Sequence, residues 1–270
     1  MNNKTNDKNY KRENTPFLNS FSDDELSENV VCGRNAVLEL LRSGRSVDKI
    51  FMKKDPEGAL LVIQGEARAR GVAIIEAKHE KLDGLAKGVM HQGVVALAAA
   101  RDYVEVSDIL KIAEERGEKP FVVILDGIAD PHNLGAIIRS CDGAGVHGII
   151  IPKRRSAPLS PVVSRASAGA VEHISISKVS NLNNTINELK KLGIWTVACE
   201  AGGQDYSTID YDMPLAVVLG SEGEGVSELI KKNCDFIASI PMMGHVNSLN
   251  VSCAAAVVLF EAAHSRRKLD

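Results

Sequence analysis

Three stretches of the sequence crowd polar residues directly behind apolar runs, where loops that carry function leave buried strands. The first is LDGIADPHNLGAIIRSCDGAG, residues 125–145. Asp126 and Gly127 close a strand, a turn follows, and Asn133 is placed to cap a helix that carries Arg139 two turns in. The two are six positions apart and share no helix face at i, i+4 spacing. They converge only if Asn133 sits at the cap, outside the helix proper. From spacing alone, an ordinary Asn cap with a surface arginine accounts for both.

The second stretch, LGSEGEGV at 219–226, runs a buried strand into a glycine-rich turn and a helix, with Glu222 between glycines. Such glycines let backbone amides approach a ligand closely. The pattern is neither a Walker loop nor GxGxxG, which disfavours nucleoside triphosphate chemistry. A carboxylate favoured by a helix dipole would also explain Glu222. The third stretch, IPMMGHVNSLNVS at 240–252, precedes the apolar helical run CAAAVVLFEAAH. Ser248, Asn250 and Ser252 alternate beside that helix start, and capping explains one of the three but not all. Histidine as a residue type suits general-base work near neutral pH, but His245 is a lone loop histidine, which is more often incidental than catalytic.

The elements that must position these residues are legible as a repeated alternation. Residues 1–29 are polar, without apolar periodicity, and read as a mobile tail. From Val30 a helix at 34–42, an apolar strand at 47–52, a helix at 59–70, a strand at 72–77 and an apolar run at 94–100 make a small α/β domain over 30–104. The charged helical segment 105–120 reads as a linker. Beyond it, apolar strands at 121–125, 148–151, 174–179, 194–199, 215–219 and 236–240 alternate with helices. A doubly wound parallel sheet covered on both faces, spanning 121–270, requires this pattern.

Composition narrows the functions available. With 270 residues, 44% apolar and 25% charged, the chain has the balance of a globular protein of two domains. No run approaches the ~20 apolar residues of a membrane span, and the expected location is the cytoplasm. Five scattered cysteines without a CxxC pair point to reduced, mostly buried thiols and to no structural metal. A net charge of −3 confines any nucleic-acid contact to local basic clusters, at Lys153, Arg154, Arg155 and Arg165 or at Arg266, Arg267 and Lys268. Solvated loops and a cation-favouring helix end explain these clusters as well.

Taken in order, the three stretches closely resemble the three signature motifs of the SpoU/TrmH family of RNA ribose methyltransferases. The matching residues are Asn133 and Arg139, then Glu222, then Ser248 and Asn250. VCGRNAVLELL and HQGVVALAA resemble the substrate-binding domain of the branch that includes the 23S rRNA guanosine 2′-O-methyltransferases, so the likeness spans about 30–266. It implies a SPOUT-type fold with a deep trefoil knot in the C-terminal parallel sheet, which ordinary topology rules would exclude. It also implies that the knot's backbone holds S-adenosylmethionine bent, with Gly220, Ile240 and Leu249 at the contact positions, that no metal takes part, and that two copies pair near the active site. The expected substrate is structured RNA, rRNA before tRNA. In this reading Arg139 grips the target phosphate, because a guanidinium stays protonated, Asn133 and Asn250 hold the ribose or Arg139, and Glu222 orients one of these amide donors or Arg139 itself. Two rival readings remain at this stage: a non-enzymatic RNA-binding protein of ribosome assembly, and a knotted methyltransferase acting on a base.

Overall fold

The structure is a computed structural model that describes residues 29–267. The tail expected at 1–29, all but its last residue, and Lys268 lie outside these. The first sheet comprises β1 (Val30–Cys32), β2 (Val47–Met52), β3 (Ala73–Glu76) and β4 (Val94–Ala98) in the order β1-β4-β2-β3, with only β2 and β3 parallel. Its helices are α1 (Arg34–Ser43), α2 (Ala59–Ala69) and α3 (His79–Ala86). Ala36, Val37, Leu40 and Leu41 give α1 one buried stripe, and Gly44, at φ 86°, ends it in the left-handed conformation that glycine adopts freely.

The second sheet holds β5 (Phe121–Asp126), β6 (Gly148–Pro152), β7 (Ser175–Val179), β8 (Trp195–Asp205), β9 (Leu215–Gly220) and β10 (Phe236–Ser239). All pairs are parallel, in the order β10-β8-β9-β5-β6-β7. Side chains alternate across each strand. Phe121, Val123 and Leu125 therefore enter a core with α5 (Pro131–Gly143), α6 (Pro161–Ala166) and α9 (Val251–Ser265). Val122 and Ile124 enter the opposite core with α4 (Val106–Glu115), α7 (Leu182–Lys191) and α8 (Glu228–Asn233). The segment read as a linker is thus partly core: α4 buries Ile109 and Ala113, and Ile109 fills the space that a side chain at Gly148 would need.

Two features shape the carboxyl edge of this sheet. β10 pairs with β8 at Val197 and Ala198, then jumps to Gln204 and Asp205, so residues 199–203 bulge out of the ladder. From the edge strand β10 the chain returns through 240–250 across the ends of β8 and β9, and α9 then packs on α5. The two sheets are clasped where Glu172, with only 2% of its side chain exposed, accepts Arg45 at 3.0 Å and Arg101 at 3.3 Å.

Candidate active site

The three motif stretches meet at the carboxyl ends of β5, β8 and β9. Asp126, the last residue of β5, accepts the Ser227 N–H at 2.9 Å, and Glu200, in the bulge of β8, accepts the Val226 N–H at 2.8 Å. These two carboxylates pin the entry to α8. The glycine-rich turn before it is closed by paired Ser221 and Gly225 backbone bonds. Gly220 passes so close beneath that a Cβ would collide with the Gly225 and Val226 backbone. That cradle of backbone is a fitting support for a small ligand.

Asn133 is not the cap of α5. Asp130 is: its carboxylate accepts the His132 N–H at 3.0 Å, and Pro131 occupies the first helical position, where its missing N–H costs nothing. Asn133 lies inside the first turn, 8% exposed, and its carboxamide is committed to a chain of hydrogen bonds. Asn250 caps α9, its Oδ1 accepting the Ser252 N–H at 2.9 Å and the Ser252 hydroxyl at 2.6 Å. A backbone N–H can only donate, so Asn250 Nδ2 must face outward as a donor, and it donates to Asn133 Oδ1 at 3.0 Å. Asn133 Nδ2 in turn donates to Glu222 Oε2 at 3.1 Å. One backbone amide thus sets the direction of a chain that joins all three motifs.

Gly220, Glu222, Ile240, Ser248, Leu249 and Asn250 line one cavity of about 500 Å³, together with Glu200 and Cys199. This volume is in the range of small-molecule sites. Arg139 stands apart: it is exposed, roughly 9 Å further along the axis of α5 than Asn133, and it makes no hydrogen bond or ion pair among the described residues. Glu222 orients Asn133, not Arg139. Ser248 is exposed and His245 lies outside the cavity lining. Sequence reasoning missed Glu200 and Asp126 as supports, although each is an acid placed where an apolar strand ends.

Burial pushes the thiols of Cys199 and Cys234 up to about 11, so neither is a ready nucleophile. Lys153, Arg154 and Arg155 are exposed at the end of β6, whereas Arg266 is structural, donating to the carbonyls of Lys119, Pro120, Tyr211 and Met213 and lying over the Phe121 ring. His79, Asp83 and His91 gather outside this cavity, but His91 Nδ1 accepts the Gly93 N–H at 3.0 Å, which leaves the proton on Nε2 and directs it to Asp83. As placed, these three form a hydrogen-bond relay.

A parallel sheet with this strand order and a site at its carboxyl edge, beside a smaller α/β unit, is the SPOUT type of fold. The sequence matches the SpoU rRNA methylase family over residues 120–260 and the RNA 2′-O ribose methyltransferase substrate-binding family over 30–104. It is 45% identical over 238 residues to YacO of Bacillus subtilis (strain 168), assigned to the TrmH family of tRNA/rRNA methyltransferases, covering 87% of this chain and 95% of that one. A similarly assigned protein of Staphylococcus haemolyticus is 42% identical over 246 residues, covering 90% and 98%. The crystal structure of an AdoMet-bound rRNA methyltransferase from Sinorhizobium meliloti superposes with a TM-score of 0.73 at 29% identity, over 89% of this chain and 88% of that one. The chain belongs to the SpoU/TrmH family of RNA methyltransferases.

Proposed function

We propose that the protein transfers a methyl group from S-adenosylmethionine to a ribose 2′-hydroxyl of structured RNA, with a guanosine of 23S rRNA as the target. The observation that carries this reading is the directed chain Asn250–Asn133–Glu222 at the mouth of a cavity whose floor is the Gly220 cradle. Gly220, Ile240 and Leu249 would hold the cofactor, which supplies an electrophilic methyl group on its sulfonium. The match of residues 30–104 to a ribose methyltransferase substrate-binding family supports the 2′-hydroxyl and an RNA partner.

The residues of this chain supply positioning. Asn133 and Asn250 hold their amides in fixed orientation, so a ribose hydroxyl meets preset donors and acceptors and loses little order on arrival. Arg139 is free to take a phosphate oxygen with two parallel N–H bonds and so to set the attacking oxygen in line. Ser248, exposed and two residues before Asn250, would bond the incoming ribose. The hydroxyl proton leaves toward solvent or a phosphate oxygen, since the guanidinium keeps its own protons. A homodimer fits the exposure of Arg139 on α5 and of Phe260, which lies against Gly143 one turn further along that helix. The proposed location is the cytoplasm, and no helix among the described residues is long and apolar enough to cross a membrane.

Incubation with methyl-labelled cofactor and separate rRNA and tRNA pools from a strain lacking the protein tests the substrate. Label in 23S rRNA is expected. Label in tRNA alone would overturn that assignment in favour of the tRNA half of the relatives' description.

A further inference from the structure

Among the described residues, the cavity enclosed by the motif segments is lined by two carboxylates, Glu200 and Glu222, and by no lysine, arginine or histidine. Glu222 is engaged by Asn133. Glu200 is held differently. It sits half-buried in the 199–203 bulge, its Oε2 fixed by the Val226 N–H at 2.8 Å, and only because residue 225 is glycine does the carboxylate have room. Among the described residues its other oxygen meets only the neighbouring Ala201 N–H, at 3.2 Å. Lys231, a cation that senses the charge of Glu200, is itself paired with Glu228. The carboxylate is therefore locked at the cavity wall with no cation to neutralise it among the lining residues.

A wall charged in this way treats the two forms of a methyl donor unequally. Before transfer the donor carries a sulfonium cation. After transfer the methyl group is on the RNA oxygen, the electron pair of the broken carbon–sulfur bond stays on sulfur, the hydroxyl proton has left, and the product is a neutral thioether. We propose that Glu200 is a specificity residue that makes the cavity select the sulfonium donor over the thioether product, and so favours product release. This rests on the cofactor assignment made above.

The test is equilibrium binding of three probes to the full chain: S-adenosylmethionine, S-adenosylhomocysteine, and sinefungin, which places an ammonium where the sulfonium would be. Glu200→Gln keeps an amide oxygen to accept the Val226 N–H while removing the charge. It should weaken S-adenosylmethionine and sinefungin by about 3- to 10-fold relative to S-adenosylhomocysteine, the size of a partly solvated charge pair. In the unmodified protein, added salt should erode the same preference by screening. Equal weakening of all three probes by Glu200→Gln, or a preference indifferent to salt, would overturn the proposal and leave Glu200 as a staple for the turn. If the unmodified protein binds none of the three, the cofactor assignment itself fails and the selectivity fails with it.

Discussion

Replacing Asn133 by Asp alters one group, an NH2 that donates to Glu222 at 3.1 Å, and leaves the shape of the side chain almost unchanged. The substituted oxygen cannot turn away, because Asn250 still donates to the other oxygen and is itself locked by the Ser252 N–H. The variant loses a hydrogen bond to a charged group, worth about 1.5–3 kcal/mol. It also sets two carboxylates about 3 Å apart, a repulsion of about 5 kcal/mol at an effective dielectric of about 20. Glu222 is exposed, so solvent screening and a small separation relieve much of that term. The expected net loss is about 2–4 kcal/mol near neutral pH, or roughly 4–12 °C in melting temperature for a chain of this size. The sign with pH follows from linkage. The new carboxyl has its folded pKa raised above the unfolded value of about 3.9, so the penalty is absent below that value, grows as pH rises through it, and levels off above the folded pKa. Melting curves of both proteins at about pH 4.5 and 7.5 read the effect. A variant as stable as the parent at the higher pH, or a deficit equal at both, would refute the directed chain.

Four further outcomes follow from particular contacts. Arg139→Ala should lower turnover about 100- to 1,000-fold while leaving the melting temperature unchanged, because the side chain is exposed and unpaired among the described residues. Gly220→Ala sets a Cβ against backbone that no side-chain rotation can clear, so it should cost about 1–3 kcal/mol and weaken S-adenosylmethionine in calorimetry. Glu172→Ala leaves Arg45 and Arg101 uncompensated between the two sheets, and denaturant titration should show a loss of about 3–5 kcal/mol. Burial holds His147 below the usual imidazole range despite its bond to Glu118; below about pH 6.5 the unfolded chain takes up a proton that the folded chain refuses. Stability should therefore fall as pH drops from about 7 to 5, and His147→Gln should flatten that slope.

The strands of the second sheet were legible because a parallel sheet covered on both faces needs unbroken apolar runs, and Phe121–Leu125 and Leu215–Leu219 supply them. Asp130 followed by Pro131 already marked the true cap of α5, and weighting that pair would have placed Asn133 inside the helix. The jump of β10 along β8 left no trace in periodicity, since it depends on pairing between segments far apart in sequence. Glu200 was hidden for the same reason: its role exists only once the bulge of β8 meets the turn after β9. The clasp on Glu172 likewise joins residues 71 and 127 positions away, beyond the reach of any local pattern.

The most direct test is the chemical position of the transferred methyl group. A 2′-O-methyl group removes the nucleophile that cleaves RNA in alkali, so the labelled product should survive alkaline hydrolysis as a dinucleotide carrying the label on ribose. Recovery of that dinucleotide, and its loss with Arg139→Ala, is the result predicted. Label recovered on a base in fully hydrolysed mononucleotides would contradict the assignment of this site to ribose methylation.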